Sequence, residues 1–153
     1  MSIYFGVLLL ILCTFAGFRL SAKYSERRKF FTDLFTFNEK IINEVSFSQN
    51  SLLSIVENEK KLNSDFGKTI CEIINGEEVK SVKYLKNEEI EVLIEYINKI
   101  GKSDRESQIL YLSSEKKIID EIRVAAINDE KKYGKLYVKL GFLFGLIIFV
   151  IFI

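Results

Sequence analysis

Hydrophobic and polar positions divide the chain into three stretches. Met1 to Phe18 is an uninterrupted charge-free run, and Leu140 to Ile153 is a second one. Between them, apolar residues recur every three or four positions, the signature of amphipathic helices. Phe31, Leu34/Phe35, Asn38, Ile41/Ile42 and Val45 predict a helix ending near Phe47, and Leu52, Leu53, Ile55 and Val56 predict a second, reaching Glu59. Phe66, Ile70, Ile73 and Ile74 mark a third between the N-cap candidates Asn63, Ser64 and Asp65 and a stop at Asn75-Gly76. Val79, Val82 and Leu85 suggest a short helix over Glu77 to Leu85. Ile90, Leu93, Ile94, Ile97 and Ile100 form one stripe, with Asn87 as the expected cap and Gly101 as the stop.

Ser103 and Glu106 have the spacing of a capping box, and no strong breaker follows. The stripe Ile109, Leu112, Ile119, Ile122, Ala126, Tyr133 and Tyr137 continues into Leu140 and Phe144. One helix of roughly 45–50 residues is expected there, with Gly134 as the place where it could bend. The expected fold is all-α: a bundle of about five to six helices between two transmembrane helices, the last continuous into the membrane. Its divisions are residues 1–22, 23–132 and 133–153.

Each apolar end is long enough to cross a bilayer. The first 18 residues cover about 27 Å as a helix, against about 30 Å of hydrocarbon. The second reaches 18 residues when counted from Leu136, with only Lys139 inside it to snorkel. A cleavable leader needs basic residues before its apolar core, and Met1-Ser2-Ile3-Tyr4 has none, so an uncleaved anchor is expected.

Charge gives the pair a sidedness. Arg19, Lys23, Arg27, Arg28 and Lys29 face one acid, Glu26, after the first run, and Lys131, Lys132, Lys135 and Lys139 precede the second with none. The centre keeps 13 of the 22 basic residues and 20 of the 21 acids, a net charge of −7. The positive-inside rule then puts the centre in the cytoplasm and both termini outside. The basic collars read as contacts to membrane lipids rather than nucleic acid. Gly6 and Gly17 in the first run, with Gly141 and Gly145 in the second, are candidates for close helix packing, within the chain or with a second copy.

Composition removes most chemistry. There is no His, Pro or Trp, so the commonest metal ligand and general base are missing. Cys13 and Cys71 cannot make a thiolate zinc site and read as small buried hydrophobes. Gly101-Lys102-Ser103 lacks the earlier glycine of a phosphate loop, since Tyr96 stands there. Glu77/Glu78 and Glu88/Glu89 suit helix starts better than catalysis. No catalytic, cofactor-binding or metal site is expected.

Gly17-Phe18-Arg19-Leu20 with its basic run, Glu44-Val45-Ser46-Phe47, Gly76-Glu77-Glu78-Val79, Gly101-Lys102-Ser103-Asp104 with Gln108, and Leu140-Gly141-Phe142-Leu143-Phe144-Gly145-Leu146 together resemble the stage III sporulation protein AB family. That family is itself similar to the F-type platform proteins of type II secretion and type IV pilus systems. The family pattern often has Pro-Leu where Ser51-Leu52 stands, and a Trp that this chain lacks. The resemblance implies a non-enzymatic platform in the mother-cell membrane around the forespore. Its partners would be the stage III sporulation protein AA ATPase and the channel proteins of the same operon. Gly101, Asp104, Arg105, Glu106 and Gln108 are the candidate partner contacts. A membrane adaptor or assembly factor with no tie to sporulation is the alternative.

Overall fold

The computed structural model describes residues 2–47, 64–80 and 82–152. The expected helix over Leu52 to Glu59 lies outside them. Helix makes up 87% of the structure, with no strand among the described residues. Helix α1 is Ser2–Phe47, α2 Asp65–Ile74, α3 Asn87–Lys99 and α4 Arg105–Asp129; a π-helical turn, Glu130–Gly134, joins α4 to α5, Lys135–Phe152. Helical structure thus continues without a break from Arg105 to Phe152, as the stripe of apolar residues implies. Four helical stretches result among the described residues, two of them long and apolar, and a central bundle of five to six helices is not found among them.

The chain divides into two compact units, a hairpin unit of residues 1–28 with 124–153 and a core unit of residues 29–123. In the core unit, α1 supplies Phe30, Phe31, Leu34, Phe37 and Ile41, all at most 3% exposed. Phe66 of α2 packs edge-on to both Phe30 and Phe37, with ring centroids 5.4 and 5.3 Å apart. Edge-to-face pairs of this kind add to what burial alone contributes. Ile70, Leu93, Tyr96, Leu112 and Ile119 complete the same core.

Local chemistry sets the ends of these helices, and in two places not through the expected residue. Ser64 caps α2 by accepting the Gly67 N–H at 3.1 Å, and Gly76, at φ 70°, takes the left-handed conformation that ends it. Lys86, not Asn87, precedes α3; its N–H donates to the Glu89 carboxylate at 3.0 Å. Asp104, not Ser103, caps α4: its carboxylate accepts the Ser107 N–H at 3.2 Å, leaving Ser103 for another bond. The Ser107 hydroxyl first, and this backbone bond after it, hold the Asp104 carboxyl below its usual range.

The expected helix over Glu77 to Leu85 is absent from the described residues there. The spacing of three between Val79, Val82 and Leu85 is met without a helix: Val82 and Leu85 are 1% and 8% exposed, but they sit on a turn in which the Leu85 N–H donates to the Val82 carbonyl at 3.1 Å. The Glu72 carboxylate accepts the Lys80 N–H at 3.2 Å, diverting the backbone from a helical ladder. So short a segment does not repay helix nucleation by itself.

Candidate functional site

Two groups of residues single themselves out, one in each unit. In the hairpin unit, helices α1 and α5 run antiparallel and touch through glycine. A Cβ added to Gly17 would lie 2.7 Å from the Tyr137 carbonyl oxygen, one added to Gly141 would lie 2.7 Å from that of Cys13, and one added to Gly145 would lie 3.1 Å from that of Leu10. Backbone rests on backbone along this seam, at separations that only the missing side chain permits. Gly6 is buried in the same unit. Thr14, between the contacts, returns its hydroxyl to the Leu10 carbonyl at 2.8 Å, which satisfies that hydroxyl within its own helix.

Above the seam the pairing becomes aromatic and then ionic. Tyr24 packs against Tyr133 and Tyr137, with centroids 5.6 and 5.7 Å away. Arg27 pairs with Asp129 at 2.8 Å and Arg28 with Glu130 at 2.5 Å. The Arg27 side chain is only 8% exposed, so this pair is more than a solvated surface contact. The π turn follows at once and ends at Gly134, whose added Cβ would meet the Ser21 hydroxyl at 3.5 Å. One extra residue in a turn shifts the facing side of a helix, which lets Asp129 and Glu130 as well as Tyr137 and Gly141 address α1. The irregularity expected at Gly134 therefore takes the form of a π turn.

Outward, the hairpin unit is apolar. Phe5, Leu8, Ile11, Leu12, Phe15 and Phe18 on α1, and Phe142, Leu143, Phe144 and Ile147 on α5, are each at least half exposed or nearly so. Exposed apolar surface of this extent is what a bilayer covers. Both long helices are long and apolar enough to cross a membrane.

In the core unit, the turn between α3 and α4 carries the other candidates. Gly101 has φ 76°. Gln108, 2% exposed, uses its amide oxygen to accept from the Gly101 N–H at 3.0 Å and the Ser103 hydroxyl at 3.2 Å, while its amide nitrogen has no partner among the described residues. Arg105 donates to the Ser46 carbonyl, at the end of α1. Gly101, Asp104, Arg105 and Glu106 are exposed. The five residues are therefore together, but in different roles: Gln108 holds the turn from inside, and the others form its surface.

A buried polar bridge, not expected from the stripe that contains Asn38, joins the helices of the core unit. Asn38, fully buried, donates to the Leu112 carbonyl at 3.2 Å and accepts from the Tyr96 hydroxyl at 2.9 Å. It ties α1 to α3 and α4 at once. An amide inside an otherwise apolar stripe was the available signal, because such a group stays buried only when satisfied. Burial raises the Tyr96 hydroxyl's pKa well above the tyrosine range, keeping it a neutral donor. Cys13 and Cys71 are free and half-buried rather than fully enclosed. Among the described residues, no three Cys, Asp or Glu side chains converge as a metal would require.

The model of the stage III sporulation protein AB family matches residues 2–153. The chain belongs to that family. Membership ties it to sporulation and to a family of structural and assembly proteins rather than of known enzymes. No curated protein and no solved structure gives a match. With the family stated, the two long apolar helices point to membrane association of a part of the stage III sporulation machinery.

Proposed function

We propose that this chain is a non-enzymatic membrane platform of the sporulation complex that joins mother cell and forespore. Residues 1–22 and 133–153 cross the mother-cell membrane as a hairpin, with both termini outside and residues 23–132 in the cytoplasm. The core unit docks the stage III sporulation protein AA ATPase, and the membrane helices meet the channel proteins. The observation that carries the reading is the hairpin unit itself: glycine-seated backbone packing inside, apolar surface outside, and basic residues at the loop end of both apolar runs.

A topology reporter fused at Asn75 tests the sidedness. Signal from the cytoplasm is expected; an external Asn75 would overturn both orientation and ATPase docking. The docking surface is tested by pull-down of the ATPase with the full chain in mild detergent. Reversing the charges of exposed Asp104, Arg105 and Glu106 is expected to reduce capture about tenfold or more, the scale of losing one well-placed charge contact. Gln108 belongs in that surface as the residue that positions the turn, not as one that touches the partner.

A further inference from the structure

We infer that the loop end of the hairpin unit is a selective binding surface for the phosphate headgroups of anionic phospholipids, built from three successive tiers of cations. This rests on the reading of the hairpin as membrane-spanning. The seam fixes the register: with Gly17 against Tyr137 and Gly141, and Tyr24 against Tyr133, Arg19 shares a level with Lys139 and Lys23 with Lys135. Lys131 and Lys132 lie a turn further on. All six are exposed.

Their freedom is selective. The hairpin unit has two more cations, Arg27 and Arg28, and these are held by Asp129 and Glu130. Glu26 is then the one acid that remains to oppose the six. Arg19 and Lys132 lie over the rings of Phe15 and Tyr133, 5.8 and 5.0 Å from their centroids, which leaves their hydrogen-bond donors available. The tiers also stand at the end of the exposed apolar surface. Phe15 and Phe18 precede Arg19, Leu136 and Leu140 flank Lys139, and each of these is at least 36% exposed. Long basic side chains at that level cover hydrocarbon with their stems and carry their charges outward, while tyrosines occupy the same depth. An acidic protein would match the charge but not the adjoining apolar band; a phospholipid supplies both, with acyl chains below and a phosphodiester above.

The test uses the full chain reconstituted in vesicles of phosphatidylcholine alone or mixed with phosphatidylglycerol, extracted in mild detergent, with retained lipid quantified by mass spectrometry. Enrichment of phosphatidylglycerol over the bulk by about fivefold is expected, as for a net gain of about one surface charge contact, and it should decline as salt is raised. Changing Lys23, Lys131, Lys132, Lys135 and Lys139 together to Gln is expected to abolish the enrichment, and the same five as Arg should retain it. Removing equal charge from the core unit at Lys68, Lys80, Lys83, Lys86 and Lys102 should leave it unchanged. Retained lipid at the bulk ratio for the unaltered chain, or equal loss in the core-unit control, would overturn the inference while leaving the hairpin intact. Failure of the unaltered chain to enter phosphatidylcholine vesicles would instead remove the membrane reading itself. The salt dependence of the unaltered chain decides the matter even where the Gln variant does not fold.

Discussion

The two units bring helices together by opposite means. In the core unit, contact is made by bulk: Phe30, Phe37 and Phe66 interlock edge to face, and the helices are held apart by their rings. In the hairpin unit, contact is made by absence: Gly17, Gly141 and Gly145 let backbones meet, and the large side chains turn outward. The contrast is what the proposed placement of the two units in different solvents requires. In water, burying rings removes apolar area from solvent and drives association. In a bilayer that drive vanishes, because lipid is as apolar as the rings, and what remains is close packing and satisfied polar groups. A polar bridge occurs in both units, but Asn38 is sealed inside its core, while Arg27 and Asp129 meet at the hairpin's loop end.

Bulk placed in the seam has the largest expected effect. Gly141→Leu adds a side chain where even a Cβ lies 2.7 Å from a backbone oxygen, so the helices must separate; a loss of about 3 kcal/mol or more is expected, at the upper end for overpacked sites. Thermal unfolding of the full chain in detergent reads it. Gly76→Ala is the matched control, because no atom lies within 4 Å of its added Cβ and only the left-handed φ of 70° opposes it, a cost of about 1 kcal/mol. Equal effects of the two would mean that the seam does not hold the hairpin.

A smaller effect is expected from the core's polar bridge. Asn38→Leu leaves the Tyr96 hydroxyl and the Leu112 carbonyl buried without their partner, at about 1–3 kcal/mol. Adding Tyr96→Phe removes the stranded hydroxyl and should recover part of the loss. A double variant whose destabilisation equals the sum of the two single changes would show that the hydroxyl and the amide are not coupled.

The mildest prediction concerns pH. The Glu115 carboxyl is raised above its ordinary 4.5, mainly by burial and further by Glu95, while Lys99 and the Tyr111 hydroxyl oppose the shift. The folded chain therefore holds this proton to higher pH than the unfolded chain does, and stability falls as pH rises from that value through the raised one. Glu115→Gln should flatten this fall, seen as a smaller difference in unfolding temperature between acid and neutral pH. An unchanged pH profile would assign the fall to other groups.

Much of the fold was legible because periodicity and charge placement are local quantities. The end of α1 near Phe47, the stops at Gly76 and Gly101, the helix running into the last apolar segment and the two membrane-length runs all follow from residue spacing alone. The candidate turn was legible as a motif, but not its division of labour. The resemblance offers Gln108 as a partner contact, and only the folded turn puts its amide oxygen between Gly101 and Ser103. Ser103 is the cap that the spacing names, but in the folded turn its hydroxyl donates to Gln108 and Asp104 takes the capping place. The segment at Val82 and Leu85 misled for the reverse reason: burial there comes from neighbours distant in sequence, and an apolar pattern does not say which backbone conformation delivers it.

Most of the helical stretches, though not the one expected over Glu77 to Leu85, the two runs apolar enough for a bilayer and the family resemblance all rest on residues close together along the chain. Tertiary structure decided the register of the hairpin, the π turn that maintains it, the pairing of Arg27 and Arg28, and the burial of Asn38. These depend on contacts between residues about a hundred positions apart in the hairpin and 58 to 74 apart in the core. Many registers satisfy the same apolar pattern. The one adopted seats glycine against backbone, charge against opposite charge and amide against hydroxyl, and those matches exist only once the helices are side by side.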